Sequence, residues 1–542
     1  MRTPRSRRLA AIGLVALAAF AVRAASLDAQ SLWRDEVDAL RFATVPWAQM
    51  LSNFTRPGWN GPLYFLLLRG WIGLTGRSEY AMRFLSLLFG VLCVPLVYVL
   101  GRRLFDRPTG LFAALLVCAS PYLAWYSQEV KMYTLVTALA LTAIYGLRRA
   151  VEGAGWHWWV VQIGATSLAF YAHILAALLI PVQVLLCLAW WPHARRRWAA
   201  ALVSLACLTL PYLPLAAWQA PLALQARETG FHAYTLGEMA QVLLNGWTTG
   251  MLSRGWPWGP VLVAGLAVGG LLGGHLGGED ETARGQIEQE VRNRFALLIW
   301  LAAPLLAVWL ISLRQPLFTD RYLTWTAPAF YLLAALGLAS VGHLGGQRHR
   351  ARTTAPGRRP IRFLGPTAAL LLAGTVLVLD GINLWQQATV PIKSDFRAAA
   401  AHVAAYRAPV EPRTSQPTAG ERSFKCYLPL VARGRYTFDD LIIFQIPYGR
   451  YTFDYYFPIE RYPWAEGLYT NHRSPDGSYL TDEQGVAQRM EELTAGHHAI
   501  WLVAAEVPMW DERRLVQAWL DANARRVDEA HFMRVDVYRY EK

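Results

Sequence analysis

The sequence predicts a polytopic α-helical membrane protein that ends in a soluble α/β domain. Three observations carry this. Of 542 residues, 54% are hydrophobic and only 17% are charged, against about 25% charged in an ordinary soluble chain. Runs of roughly 18 or more apolar residues recur, each long enough to cross a ~30 Å hydrocarbon layer. After Leu384 the composition changes, and residues 392–542 mix acids, bases and aromatics as a soluble domain does. The expected division is a membrane domain over residues 1–390 and an extracytoplasmic α/β domain over residues 391–542.

The first element follows four arginines, Arg2, Arg5, Arg7 and Arg8, and runs apolar from Leu9 to Leu27. It resembles a signal peptide, with Val22-Arg-Ala-Ala-Ser26 as a faint cleavage site. An uncleaved first helix fits better, because many spans follow. Residues 28–80 form a mixed loop in which Trp47–Phe54 reads as a short interfacial helix and Asn60–Leu74 as a re-entrant or interfacial one. Ten further spans are expected, at 81–101, 109–126, 132–147, 157–174, 175–191, 199–217, 259–277, 296–313, 322–342 and 363–383. With the first, about eleven transmembrane helices result.

Charge orients them. The formal charge is +14, which in a soluble protein would suggest nucleic acid. Residues 392–542, however, hold 19 Lys and Arg against 21 Asp and Glu, leaving 33 against 17 for the remainder. Alternate threading puts Arg102/Arg103/Arg107, Arg148/Arg149, Arg195–Arg197, Arg284/Arg292/Arg294 and the Arg348–Arg362 linker on the cytoplasmic side with the N-terminus, as the positive-inside rule requires. The C-terminal domain then lies outside, and no nucleic-acid partner is expected. There Tyr427–Val431, Leu441–Ile446 and Ile500–Val503 read as strands, and Asp395–Tyr406 and Asp511–Ala524 as helices. Arg450-Tyr-Thr-Phe-Asp454 echoes Arg435-Tyr-Thr-Phe-Asp439, too briefly for a repeat. Four of the five cysteines fall in apolar runs, where Cys packs as a small hydrophobe. Cys426 is alone in the C-terminal region, and no spacing suggests zinc.

Candidate chemistry collects on the extracytoplasmic side. Ser31-Leu-Trp-Arg-Asp-Glu-Val-Asp38 places Arg34, Asp35 and Glu36 just beyond the first span; the plain alternative is a solvated loop or helix cap. Ser127-Gln-Glu-Val-Lys-Met-Tyr133 joins two spans by a very short turn. It puts Gln128, Glu129, Lys131 and Tyr133 at membrane depth, where charges are costly and usually paired or functional. The alternative is a hairpin whose Lys snorkels to headgroups, although a Lys on this side opposes the charge rule. His173, in Tyr171-Ala-His173, reads as interfacial packing or as a substrate ligand. Asp320-Arg-Tyr322 heads another span, and Arg321 could clamp a phosphate bidentately. Arg227, Glu228, His232 and Arg254 share a loop in which none stands out. Acids for general-base work and cations for a departing phosphate suit transfer of a sugar from a polyprenyl-phosphate-linked donor.

Together these motifs resemble the GT-C superfamily of polyprenyl-phosphate-sugar-dependent glycosyltransferases. The likeness is to family 39, the protein O-mannosyltransferases and the lipid A aminoarabinose transferase. Trp33-Arg-Asp-Glu36 looks like that family's first extracytoplasmic acidic motif. Asn60-Gly-Pro-Leu-Tyr64 is similar to its His-Pro-Pro-Leu-Tyr, and Ser127–Tyr133 to its Ser-Gln-Glu-Ala-Arg-Met-Tyr. Tyr171-Ala-His173 and Arg321-Tyr322 match weaker landmarks. The resemblance covers roughly residues 1–340. It implies a multi-pass plasma-membrane enzyme that inverts the anomeric centre. Asp35, Glu36 and Glu129 would be its catalytic acids. Arg34, Tyr64, Gln128, Lys131, Tyr133, His173, Arg321 and Tyr322 would bind substrate. The implied partners are the lipid-linked donor, membrane lipid and a glycan, lipid or protein acceptor. Asn60 in place of His weakens a metal or phosphate role there, and Lys131 in place of Arg loses the fork. No compact metal-ligand set appears, and a divalent cation is the one cofactor left open. The alternatives are a lipid-linked-sugar flippase or other transporter, whose charges belong nearer the bilayer midplane, and a ligand sensor. The sharpest expectation is that these acids and cations share one pocket.

Overall fold

The computed structural model describes residues 4–54, 60–224, 232–252, 258–273, 281–350, 364–407, 440–459, 462–474 and 476–542. The expected strand at 427–431, Cys426, Arg227, Glu228, Arg254 and the Arg435–Asp439 echo lie outside the described residues. The chain divides into two compact units: Met1–Leu27 with Phe42–Val390, and Asp28–Arg41 with Pro391–Lys542.

In the membrane unit each of the eleven predicted segments is mainly helical over its described residues. The leading helices are α1 (Pro4–Ala24), α2 (Arg34–Thr44, begun in the other unit), α3 (Trp47–Phe54), α4 (Leu63–Thr75) and α5 (Glu79–Leu104). Then come α6 (Arg107–Ala119), α7 (Pro121–Ser127), α8 (Tyr133–Glu152), α9 (His157–Ala172) and α10 (Leu179–Ala189). Among the described residues six helices are long and apolar enough to cross a membrane, or seven if α6 and α7 count as one bent span. Leu9–Ala24, Leu63–Thr75, Ile174–Ala189 and Trp258–Leu272 are shorter apolar helices. At about 1.5 Å per residue, the last covers only about 22 Å, less than the hydrocarbon layer. Long apolar runs in sequence are thus not all full-length spans.

The expected single span at 109–126 is two helices bent by 58°. The cause is Pro121. It has no N–H for the Val117 carbonyl and cannot continue the helix. Arg23, at the end of α1, takes over the freed acceptors. Its guanidinium donates to Val117 O and Cys118 O, each at 2.9 Å, and to Ala19 O at 3.2 Å. Its Nε donates to Ser127 Oγ at 3.1 Å. Arg23 is fully buried, so those carbonyls have no water to turn to. Elsewhere helices touch backbone to backbone: a Cβ on Gly270 would run into Leu333 O, and one on Gly337 into Leu266 O. Such small-residue contacts are the usual means of tight packing in lipid.

The second unit holds a five-stranded sheet. Its strands are β1 (Leu441–Phe444), β2 (Trp464–Glu466), β3 (Ala499–Ala505), β4 (Arg525–Phe532) and β5 (Val535–Glu541), in the order β2-β1-β3-β5-β4. β1 pairs parallel with β2 and β3, whereas β5 runs antiparallel to β3 and β4. The central strands alternate between two cores. Ile442, Phe444, Trp501 and Val503 face the helix Phe396–Arg407, while Leu441, Ile443, Ile500 and Leu502 face Val486, Met490, Val516 and Leu520. Burial on both faces explains why β1 and β3 read as unbroken apolar runs. The expected helix at Asp511–Ala524 begins later, at Leu515. Asp511 instead accepts from the Leu515 and Val516 N–H groups, each at 3.0 Å. The residues Arg450–Asp454 lie within the helix Gly449–Tyr456.

Candidate functional site

The acidic motif sits at the start of α2. Glu36 N and Val37 N bond back to Trp33 O and close the first turn. Val37 and Leu40 are buried, and this apolar stripe turns Glu36 inward as well. The Glu36 carboxylate is fully buried and accepts from Lys393 Nζ at 2.8 Å. The Lys393 ammonium also stands 5.6 Å over the Trp33 ring. Burying two charges is tolerated here because each answers the other; removing one partner of such a pair typically costs about 3–5 kcal/mol. Arg34 lies 3.8 Å over the Tyr448 ring, and Arg41 lies 3.3 Å over Tyr451. The chain entering α2 is tied down too. Leu32 N donates to Tyr456 OH at 2.7 Å, and Arg397 donates to Asp28 O and Gln30 O at 2.9 and 3.1 Å. Asp35, one residue from Glu36, is partly exposed.

In the membrane unit the Ser127–Tyr133 turn follows α7. Its backbone is held at both ends. Gln128 Nε2 donates to Arg23 O at 2.7 Å and to Ser26 Oγ at 2.9 Å. Ser127 packs against α5 where Gly90 leaves room; a Cβ there would run into its Oγ. Ser86 Oγ donates to Lys131 O at 2.9 Å and is itself 2.8 Å from Tyr64 OH. Tyr64 and Gln128, both expected to bind substrate, are thus joined to the scaffold that fixes this turn. Glu129 is fully buried, and Lys131 is partly exposed.

Two further segments meet this turn. Asn60 Oδ1 accepts from Ile174 N at 3.3 Å, and Gly61 lies so close to the Tyr171 backbone that a Cβ would collide with it. The Asn60-Gly-Pro-Leu-Tyr64 motif therefore fixes the His173 turn at one end and, through Tyr64, the Lys131 turn at the other. His173 Nδ1 accepts from Leu175 N at 3.2 Å, which puts the ring proton on Nε2. The imidazole is buried, with Lys131 and Arg321 within electrostatic reach as the cations of this site. Its ring centre lies 4.9 Å from that of Tyr322 and 6.3 Å from that of Tyr133. Tyr126 OH donates to Asp320 Oδ2 at 2.7 Å, and Tyr122 OH to Asp320 O at 2.9 Å. Glu129, Lys131, Tyr133, His173, Arg321 and Tyr322 are therefore one cluster, although they span nearly 200 positions of sequence. Arg34, Asp35 and Glu36 belong to the other unit.

Sequence reasoning missed Arg23, Ser86, Tyr126, Asp320 and Lys393. For Arg23 a signal existed: an arginine in the last turn of an apolar helix, and a Ser-Pro pair inside a later apolar run. Lys393 carried none. A crevice of about 320 Å³ is lined by Trp159, Trp191, Trp198 and other apolar side chains, together with Gln162 and Gln183. It contains none of the predicted site residues, and the clustered polar groups rather than this apolar groove mark the chemistry. Among the described residues no three His, Cys, Asp or Glu side chains gather to hold a metal ion.

Residues 56–218 match the family model described as dolichyl-phosphate-mannose-protein mannosyltransferase. The undecaprenyl phosphate-alpha-4-amino-4-deoxy-L-arabinose arabinosyl transferase of Edwardsiella ictaluri is 26% identical over 368 residues, 64% of this chain. The match spans 62% of that relative, less than two thirds of its length. The crystal structure of ArnT from Cupriavidus metallidurans in the apo state is similar with a TM-score of 0.57 and 15% identity, over 99% of this chain and 98% of that one. The archaeal oligosaccharyltransferase AglB from Archaeoglobus fulgidus, in complex with an inhibitory peptide and a dolichol-phosphate, has a TM-score of 0.51 and 12% identity. That match covers 95% of this chain and 71% of AglB. The fold is the GT-C fold that the motifs predict, and the transporter alternative gains nothing from these relatives.

Proposed function

We propose that this chain, built on the GT-C fold, is a membrane glycosyltransferase that moves a sugar from a polyprenyl-phosphate-linked donor to an acceptor hydroxyl. The observation that supports it best is the cluster of Glu129, Lys131, His173 and Arg321, brought together from three segments of the membrane unit. An anionic lipid phosphate needs cations at membrane depth, and buried charges there are expensive without such a task. The relatives supply the donor class: one is described by an undecaprenyl-phosphate sugar, another holds a dolichol-phosphate.

In the proposed step the acceptor oxygen attacks the anomeric carbon while its proton passes to Asp35. The bond from that carbon to the phosphate oxygen breaks, and the phosphate leaves with the electron pair. Attack opposite the leaving group inverts the anomeric centre. Lys131 and Arg321 meet the growing negative charge, and Glu129 orients the groups around it. The arginine-rich loops support a cytoplasmic N-terminus and an extracytoplasmic C-terminal domain.

The test is purified full-length protein in lipid nanodiscs with undecaprenyl-phosphate-linked aminoarabinose, then with polyprenyl-phosphate mannose. A lipid and glycan extract serves as acceptor source, and free polyprenyl phosphate is measured. Release with either donor is expected. Failure with both would remove the reading, and movement of intact donor between leaflets without release would favour the transporter.

A further inference from the structure

We propose that Lys393 is a positioning residue for the acidic motif, and that Glu36 is its buried anchor rather than a catalytic acid. The inference rests on the glycosyl-transfer reading above and deepens it by dividing the roles of two adjacent carboxylates.

A general base must be within reach of the hydroxyl that it deprotonates. Glu36 has no accessible surface, and its Oε2 is taken by the Lys393 ammonium at 2.8 Å. Asp35, the next residue, lies about 100° further round the helix and keeps accessible surface. If Glu36 points into the second unit, Asp35 cannot. The Glu36–Lys393 bond therefore fixes the rotational phase of the first turn of α2, and with it the direction of Asp35.

Lys393 holds more than the carboxylate. Its backbone N–H and that of Ile392 both donate to Gln30 Oε1, at 3.3 and 2.9 Å. Its ammonium caps the Trp33 ring. One short segment after the last apolar helix thus grips the motif at Gln30, Trp33 and Glu36, while Tyr456, Tyr448 and Arg397 hold Leu32, Arg34 and Asp28. The soluble domain is, on this evidence, the mount of the acidic motif.

The experiment uses full-length protein in nanodiscs and four variants: E36Q, K393M, the double E36Q/K393M, and K393R. Each single neutral variant breaks the buried ion pair from one side, and turnover of the lipid-linked donor is expected to fall at least about 30-fold. In the double variant both charges are gone, and turnover is expected to recover to within about fivefold of wild type, as K393R does. A double variant as dead as E36Q would make Glu36 catalytic and overturn the proposal. A second readout needs no activity. In a chain with its native cysteines replaced, D35C is labelled by a water-soluble maleimide with and without K393M. A labelling rate changed at least about threefold is expected; an unchanged rate would also overturn the proposal. If wild type shows no donor turnover while the labelling rate still changes, the fault lies with the transferase reading and not with the role of Lys393.

Discussion

The two charged turns of this protein solve the same problem differently. Both place carboxylates where water is scarce. At the start of α2, the buried Glu36 is answered by a lysine 357 positions away, and the turn is held by side chains of the unit that carries the sheet. At Ser127–Tyr133 Arg23 donates to Ser127 Oγ, Gln128 donates to Arg23 O, and Ser86, itself bonded to Tyr64, donates to Lys131 O, all within a membrane bundle. The first leaves Asp35 partly exposed next to the buried Glu36. The second leaves a partly exposed cation, Lys131, beside His173 and Arg321. In the proposed reaction, proton handling falls to the first turn and phosphate handling to the second.

The largest expected effects break that division directly. Asp35→Asn is expected to reduce donor turnover by at least about 10³-fold with little change in KM. Lys131→Met is expected to cost about 10²-fold and to raise KM for the lipid donor, with Lys131→Arg close to wild type; steady-state kinetics in nanodiscs check both. Equal kcat losses with unchanged KM in the two variants would erase the distinction.

Arg23→Met probes the bracing of the second turn. It leaves the Val117 and Cys118 carbonyls without donors in an apolar interior, and each buried unsatisfied group costs about 1–3 kcal/mol. A melting temperature lower by several degrees is expected in thermal unfolding, with lower turnover at growth temperature. Arg23→Lys restores one donor and should recover part of the loss.

His173 gives a smaller effect. Its Nδ1 accepts from the Leu175 N–H, so His173→Leu removes that acceptor and is expected to lower the melting temperature by a few degrees, roughly the cost of one lost hydrogen bond. An unchanged melting temperature would mean that the ring does not hold this turn. The smallest expected effect is that of chelation: with the phosphate met by Lys131 and Arg321, EDTA should leave turnover within about twofold.

Much of this was legible in the chain. Long apolar runs give helices wherever they fall, and the charged breaks between them are conspicuous because charge is rare in such a sequence. The turn at 127–133, His173 and Arg321 could be chosen on that ground alone. What could not be read is pairing at a distance. Lys393 sits among ordinary charges in a mixed segment, and only the fold brings it to Glu36. The grouping of residues 28–41 with the C-terminal region has the same origin. Length misled for a different reason: Pro121 lies in an apolar run that hydropathy treats as continuous, although its missing N–H breaks the helix. β4 and β5 were missed because edge positions such as Arg525, Arg526 and Glu529 are charged and exposed, which masks their alternation.

The bonds from Arg23 to the broken helix have a practical consequence for anyone re-engineering the protein. A generic hydrophobic leader of equal length would insert as readily as α1, yet it would supply no guanidinium for the exposed carbonyls at Val117 and Cys118. Swapping that segment for a convenient expression anchor should give a chain that reaches the bilayer and still lacks a properly formed turn at 127–133.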